Sequence, residues 1–241
     1  MKSLSLRLFR ALNLRPAQKE GSALGPFFFR TEFDRLLASS MFFGCVMVLL
    51  RVLHTGDDRF VSMIWNLFLG YIPYVLSNLL SFRVSWKPLR FLLFAAWLLF
   101  IPNSFYMLTD LFHLADAHRN EKVPQWFDLV LILSFAWNGL LLGVLSVRQV
   151  ERLFVPAPSG FRGWLFVYPI MGLNALGVYI GRYLRYNSWD IITNPVDLLS
   201  DIFNMIAHPL RYHDAWDMIL CYSILLTLIY RMLKKLVVPL T

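Results

Sequence analysis

Charge is scarce in this 241-residue chain. Asp, Glu, Lys and Arg together make up 16% of it, where an ordinary soluble domain carries about 25%. Cysteine is scarcer still. Cys45 and Cys221 each fall inside an apolar stretch, and no CxxC or Cys/His grouping accompanies them. That excludes a recognisable zinc or thiol-redox motif and leaves two small buried hydrophobes. A Gly-rich phosphate loop, an HExxH and a GxSxG are also missing, so the signatures of nucleotide binding, zinc proteolysis and serine hydrolysis do not occur. No internal repeat of the kind many secondary transporters carry is visible.

What the chain has is apolar surface: 58% of its residues are hydrophobic. That amount suits one compact all-α bundle with room for about six spans of ~20 residues each. The expected spans run over 36–53, 60–82, 89–114 (interrupted by Pro102), 126–147, 164–186 and 216–233, with a short outer helix over 195–207 before the last. Residues 1–35 form a basic segment in which Leu4, Leu8, Phe9 and Leu12 recur at helical spacing between Arg7 and Arg10. This predicts an amphipathic helix lying on the membrane surface, and it fits a signal peptide poorly. Residues 36–241 then form a single transmembrane domain.

The net charge is +8. Its distribution argues against nucleic acid as a partner, because the positive residues occupy short segments between apolar runs. Sixteen of the 23 Lys and Arg fall in the N-terminal segment and the linkers at 83–90, 148–162 and 231–235, and seven fall elsewhere. That split predicts N-in/C-in topology. It leaves most of the acids on the outer side.

Polar groups facing lipid cost several kcal/mol each, so those within spans point to a bundle interior and to function. Asn103, Tyr106, Asp110 and His113 are spaced by three, four and three residues, which puts them on one helical face. A carboxylate and an imidazole one turn apart are candidates for general acid/base work, with Pro102 expected to kink the helix beside them. Arg182 and Arg185 close the fifth span against the prevailing charge rule, followed by Asn187 and Asp190. A guanidinium fork suits phosphate or carboxylate. Asp128 opens the fourth span, where it complements the helix dipole and is a candidate to join Asp110 and His113. Gly139/Gly143 and Gly177/Gly181 each form a GxxxG, a signal for close helix approach. Asn66 and Asn138 are candidates for interhelical hydrogen bonds, and His208 and His213 for ordinary loop residues.

A combination of these motifs resembles a known family. Asn66-Leu67-Phe68-Leu69 with Ile72-Pro73, Pro102-Asn103 with Tyr106, Thr109-Asp110-Leu111 with His113-Leu114, Trp126 with Asp128, and Gly181-Arg182 through Asn187-Ser188-Trp189-Asp190 look like a bacterial family of small polytopic membrane proteins. That family is a domain-of-unknown-function family. The resemblance covers roughly Leu37 to Asp190. It implies a bacterial inner-membrane location and brings no activity, substrate or cofactor.

Three functions fit these residues. In the first, an outward-facing site binds or acts on an anionic or lipid-linked substrate. There Asp110, His113 and Asp128 supply acid/base groups or bind a divalent metal, whose ligand set is incomplete in the sequence. Arg182, Arg185, Asn187, Asp190, Asn103 and Tyr106 hold the substrate. The second is a proton-coupled transporter using the Asp–His pair. The third is a structural or assembly protein whose polar stripe only sets helix packing. Membrane lipids are partners in all three, and the sequence leaves the oligomeric state open.

Overall fold

The computed structural model describes residues 32–81, 86–114, 123–155 and 160–236. The amphipathic helix expected near the N-terminus lies outside these residues. The described chain is helical: α1 (Glu32–Thr55), α2 (Ser62–Ser81), α3 (Lys87–Tyr106) continued by a 3-10 segment (Met107–Phe112), α4 (Gln125–Phe154), α5 (Gly160–Arg182), α6 (Asp190–Thr193), α7 (Pro195–Ala207) and α8 (His213–Leu236). Six of these are long and apolar enough to cross a membrane, with mean hydropathy of 1.3 to 2.2. No strand occurs among the described residues. The chain is a multi-pass membrane protein.

α4 is the axis. In its most apolar window 72% of residues are buried, against 28–39% in the other five spans. α1 and α2 pack on one side of it, while α3 packs on α2, α4 and α5, and α5 packs on α8. α4 also outruns its expected end at 147 by two turns, to Phe154. The extra turns bury Glu151, which accepts from the Tyr230 hydroxyl (2.6 Å) and the Lys234 ammonium (2.6 Å), tying α4 to α8. Residues that read as a basic linker therefore belong to the bundle.

Both GxxxG pairs grip α3 from opposite sides. A Cβ on Gly139 would stand 2.5 Å from the Ser104 carbonyl oxygen, and one on Gly177 would stand 2.5 Å from Pro102 Cγ. Gly143 receives the Phe105 ring and Gly181 faces Tyr106. Only hydrogen at Gly139, Gly143 and Gly177 lets α4 and α5 close on α3. Polar ties fix the depth. The Trp97 indole N–H donates to Ser146 Oγ (2.7 Å), and the Ser146 hydroxyl donates to the Pro73 carbonyl (2.8 Å), linking α3, α4 and α2.

Pro102 does not end the α-helix, which continues to Tyr106. The change of geometry comes at Met107, where the chain tightens to 3-10. There the Thr109 hydroxyl donates to the Tyr106 carbonyl (2.6 Å). At three residues per turn, positions i and i+3 eclipse, so His113 stands directly over Asp110.

Candidate functional site

The ends of α3 and α5 and the start of α2 meet at one end of the bundle. Asp110 is 1% exposed there. Its carboxylate accepts from Asn66 Nδ2 (3.5 Å) and from Arg182 Nη1 (3.4 Å). Arg182 Nη1 also reaches the Tyr106 hydroxyl oxygen (3.3 Å) and His113 Nε2 (3.2 Å). Tyr106, Asp110 and His113 of the predicted stripe thus converge on Arg182, across 72 residues of sequence in the case of Asp110. Nη1 carries only two hydrogens for its three neighbours. The His113 contact requires a neutral ring with Nε2 as acceptor, since a guanidinium only donates.

The hold on Arg182 is loose and one-sided. An N–H of a cation bonds a carboxylate best at about 2.7–2.9 Å, and 3.4 Å is well beyond that. Among the described residues, Nε and Nη2 of Arg182 make no hydrogen bond. The Arg182 side chain retains 16% of its exposure and that of His113 39%. Arg182 also lies over the Tyr106 and Phe112 rings at 5.8 and 5.7 Å.

Beside this cluster lies a cavity of about 280 Å³ between α2, α3, α5 and the 186–202 connection. Asn66, Asn103, Tyr106, Asn187 and Ser188 form its polar end, and mostly leucines and isoleucines, with Trp65, line the rest. Asn103 is not part of the Arg182 cluster. Its amide donates to Ser188 Oγ (2.8 Å) and to the Phe100 carbonyl (3.0 Å), pinning the connection to α3.

Several predicted site residues stand elsewhere. Asp128 does not meet Asp110 or His113. It accepts from Arg51 Nε at 2.8 Å, with both side chains at most 1% exposed. Arg51 further reaches Asp57 (3.4 Å) and lies 4.4 Å from the Phe60 ring centroid. Arg185 is exposed, with a left-handed φ of 60°, and forms no ion pair among the described residues. Its backbone reverses the chain after α5, where the Tyr186 N–H donates to the Ile180 carbonyl (3.2 Å). Asp190 serves its own turn. It accepts from the Asn187 N–H and the Thr193 hydroxyl, and chiefly that backbone N–H holds its carboxyl below the ordinary value. His213 pairs with Asp214 (3.3 Å) in the exposed first turn of α8. Among the described residues, no three His, Cys, Asp or Glu side chains gather where they could hold a metal.

Arg51 is the residue that sequence reasoning missed. Its signal was present: an ionisable residue inside an apolar span is functional or paired by default. Glu151 was missed because the span was ended one turn before it.

Fold and cluster together define a six-span membrane protein with a buried acid, an arginine and a histidine at one bundle end. The chain belongs to the family described as "Protein of unknown function (DUF1361)", whose model matches residues 65–229. The match takes in Asn66, Tyr106, Asp110, His113 and Arg182 and starts after α1. Comparison with curated proteins and with solved structures gave no match.

Proposed function

We propose that this is a multi-pass protein of a bacterial inner membrane that binds an anionic, lipid-linked substrate on its outer face, at Arg182. Asp110 and Tyr106 hold the guanidinium, and His113 stands beside it as the group able to exchange a proton with the ligand. One observation carries this: the hold on Arg182 is long and confined to Nη1, next to a cavity with a polar end. The Arg51–Asp128 pair has the short geometry of a structural ion pair. Arg182 keeps donors in a planar fork that matches phosphate or carboxylate. The basic residues concentrated at the opposite end of the spans support the outer placement.

Arg182→Gln is expected to weaken binding of an anionic lipid about 10- to 100-fold, the loss of one charge-assisted contact. Titration of the purified protein in neutral-lipid nanodiscs with phosphatidic acid, read by native mass spectrometry, measures this. Wild-type affinity in Arg182→Gln would reject the proposal.

Asp110 also ties α2, α3 and α5 together while almost fully buried, which supports a packing role for the same cluster. Asp110→Asn keeps the shape and removes the charge. If packing were its whole role, the melting temperature in detergent would fall and phosphatidic acid binding would stay as in the wild type. With Arg182 acting as the anion donor, both change.

A further inference from the structure

The cavity beside Arg182 is a slot rather than a cup. Tyr106 marks its polar end on α3 and Leu98 its apolar end, eight residues earlier, a depth of roughly 12 Å at 1.5 Å per residue. On α5 the lining from Gly181 to Leu173 gives about the same depth. The slot therefore runs from the level of the polar cluster down along the spans. Its volume of about 280 Å³ is at the low end of ligand pockets, which run about 300–1,000 Å³, and is too small for a whole lipid. Its rim is apolar and open: Trp65, Leu173 and Ile191 line the cavity and are still 52%, 46% and 45% exposed.

α7 forms one wall of the slot, through Leu198 and Ile202. Its Met205 is fully packed in one cluster with Ala175, Ala215 and Ile219. Ala175 lies seven residues before the end of α5, roughly 10 Å inside it, while Ala215 and Ile219 lie two and six after the start of α8, about 3 to 9 Å inside. The Met205 end of α7 therefore sits level with the outer turns of α5 and α8, where the Met205 carbonyl also accepts from the Trp216 indole N–H (3.2 Å). Its other face carries Val196, Leu199, Phe203 and Ile206, each more than 60% exposed, at helical spacing. An apolar stripe of this kind at this depth meets acyl chains.

We infer that α7 is a half-inserted helix of the outer leaflet, and that the site takes a chain-bearing anionic amphiphile entering sideways from that leaflet, its proximal chain in the slot and its oxyanion head at Arg182. The identity of the head group rests on the reading of Arg182 above; the depth of α7 and the lateral slot do not. The slot excludes bulky heads from its depth and leaves the remaining chain in the bilayer through the rim at Leu173.

Two measurements test it. In a Cys45→Ser, Cys221→Ser background, Phe203→Cys carries a fluorophore in nanodiscs, with Asp214→Cys, at the exposed start of α8, as the aqueous reference. Lipids spin-labelled on the acyl chain are expected to quench the label at position 203 more than at 214, and iodide the reverse. Iodide quenching at 203 as strong as at 214 would overturn the insertion of α7. In neutral maltoside micelles, dodecyl phosphate is expected to raise the melting temperature where inorganic phosphate at the same concentration does not. Leu173→Trp, at the half-exposed rim, should weaken that response about tenfold while leaving the unliganded melting temperature unchanged. Equal stabilisation by inorganic phosphate would overturn the chain slot. An undiminished dodecyl phosphate response in Arg182→Gln would overturn the role of Arg182 and still support the slot.

Discussion

Arg51→Ala is expected to destabilise the protein by about 3–5 kcal/mol, because it leaves Asp128 as an uncompensated buried charge. The Arg51 side chain is fully buried, its Nε–H bonds Asp128 at 2.8 Å, and its guanidinium stacks on Phe60. Among the described residues its Nη2 has no hydrogen-bond partner, so part of the group is held there by packing alone. Taking two charges out of water costs nearly as much as their attraction returns. The double variant Arg51→Met/Asp128→Leu should therefore recover most of the loss. SDS-titration unfolding in mixed micelles measures all three proteins. A double variant as unstable as the sum of the single ones would show that the pair does not act as a unit.

Gly139→Val is the second large effect. Its Cβ would stand 2.5 Å from the Ser104 carbonyl oxygen and from Met107 Cε. Overpacking a full core costs about 1–3 kcal/mol. The upper end applies here, because a backbone oxygen has no rotamer to turn. Displacing α3 from α4 also moves the 3-10 segment that carries Asp110 and His113, so phosphatidic acid binding should fall with stability. Gly172→Ala is the control. Its nearest neighbour would be Ser223 Oγ at 3.9 Å, and it is expected to be neutral or slightly stabilising. If Gly139→Val melts with the wild type, α3 is not clamped as described.

The six spans were legible because hydropathy is a local property of about twenty residues, and the helix over 195–207 because Pro195 opens it and its apolar period is regular. The stripe of Tyr106, Asp110 and His113 was legible for the same reason: one face of one helix. Asn103 shares that face by spacing and still turns away, because Ser188 offers its amide a partner at 2.8 Å. The two arginines expected to form an anion clamp do not stand together. α5 stops at Arg182, and a left-handed residue at 185 sends the second arginine outward.

From sequence alone came the membrane-spanning class, the count of spans and the residue types at one end of them. Only the tertiary structure decided the partners. Two arginines and two aspartates, all near the same bundle end, can be matched in either sense. The bundle matches Arg51 with Asp128 and Arg182 with Asp110, across 77 and 72 residues. Periodicity reports which face of a helix a side chain occupies. Which helix lies opposite depends on close approach at Gly139, Gly143 and Gly177, and on the tightened turn after Tyr106. Those are properties of packing between distant segments, and they made one ion pair short, at 2.8 Å, and the other long, at 3.4 Å.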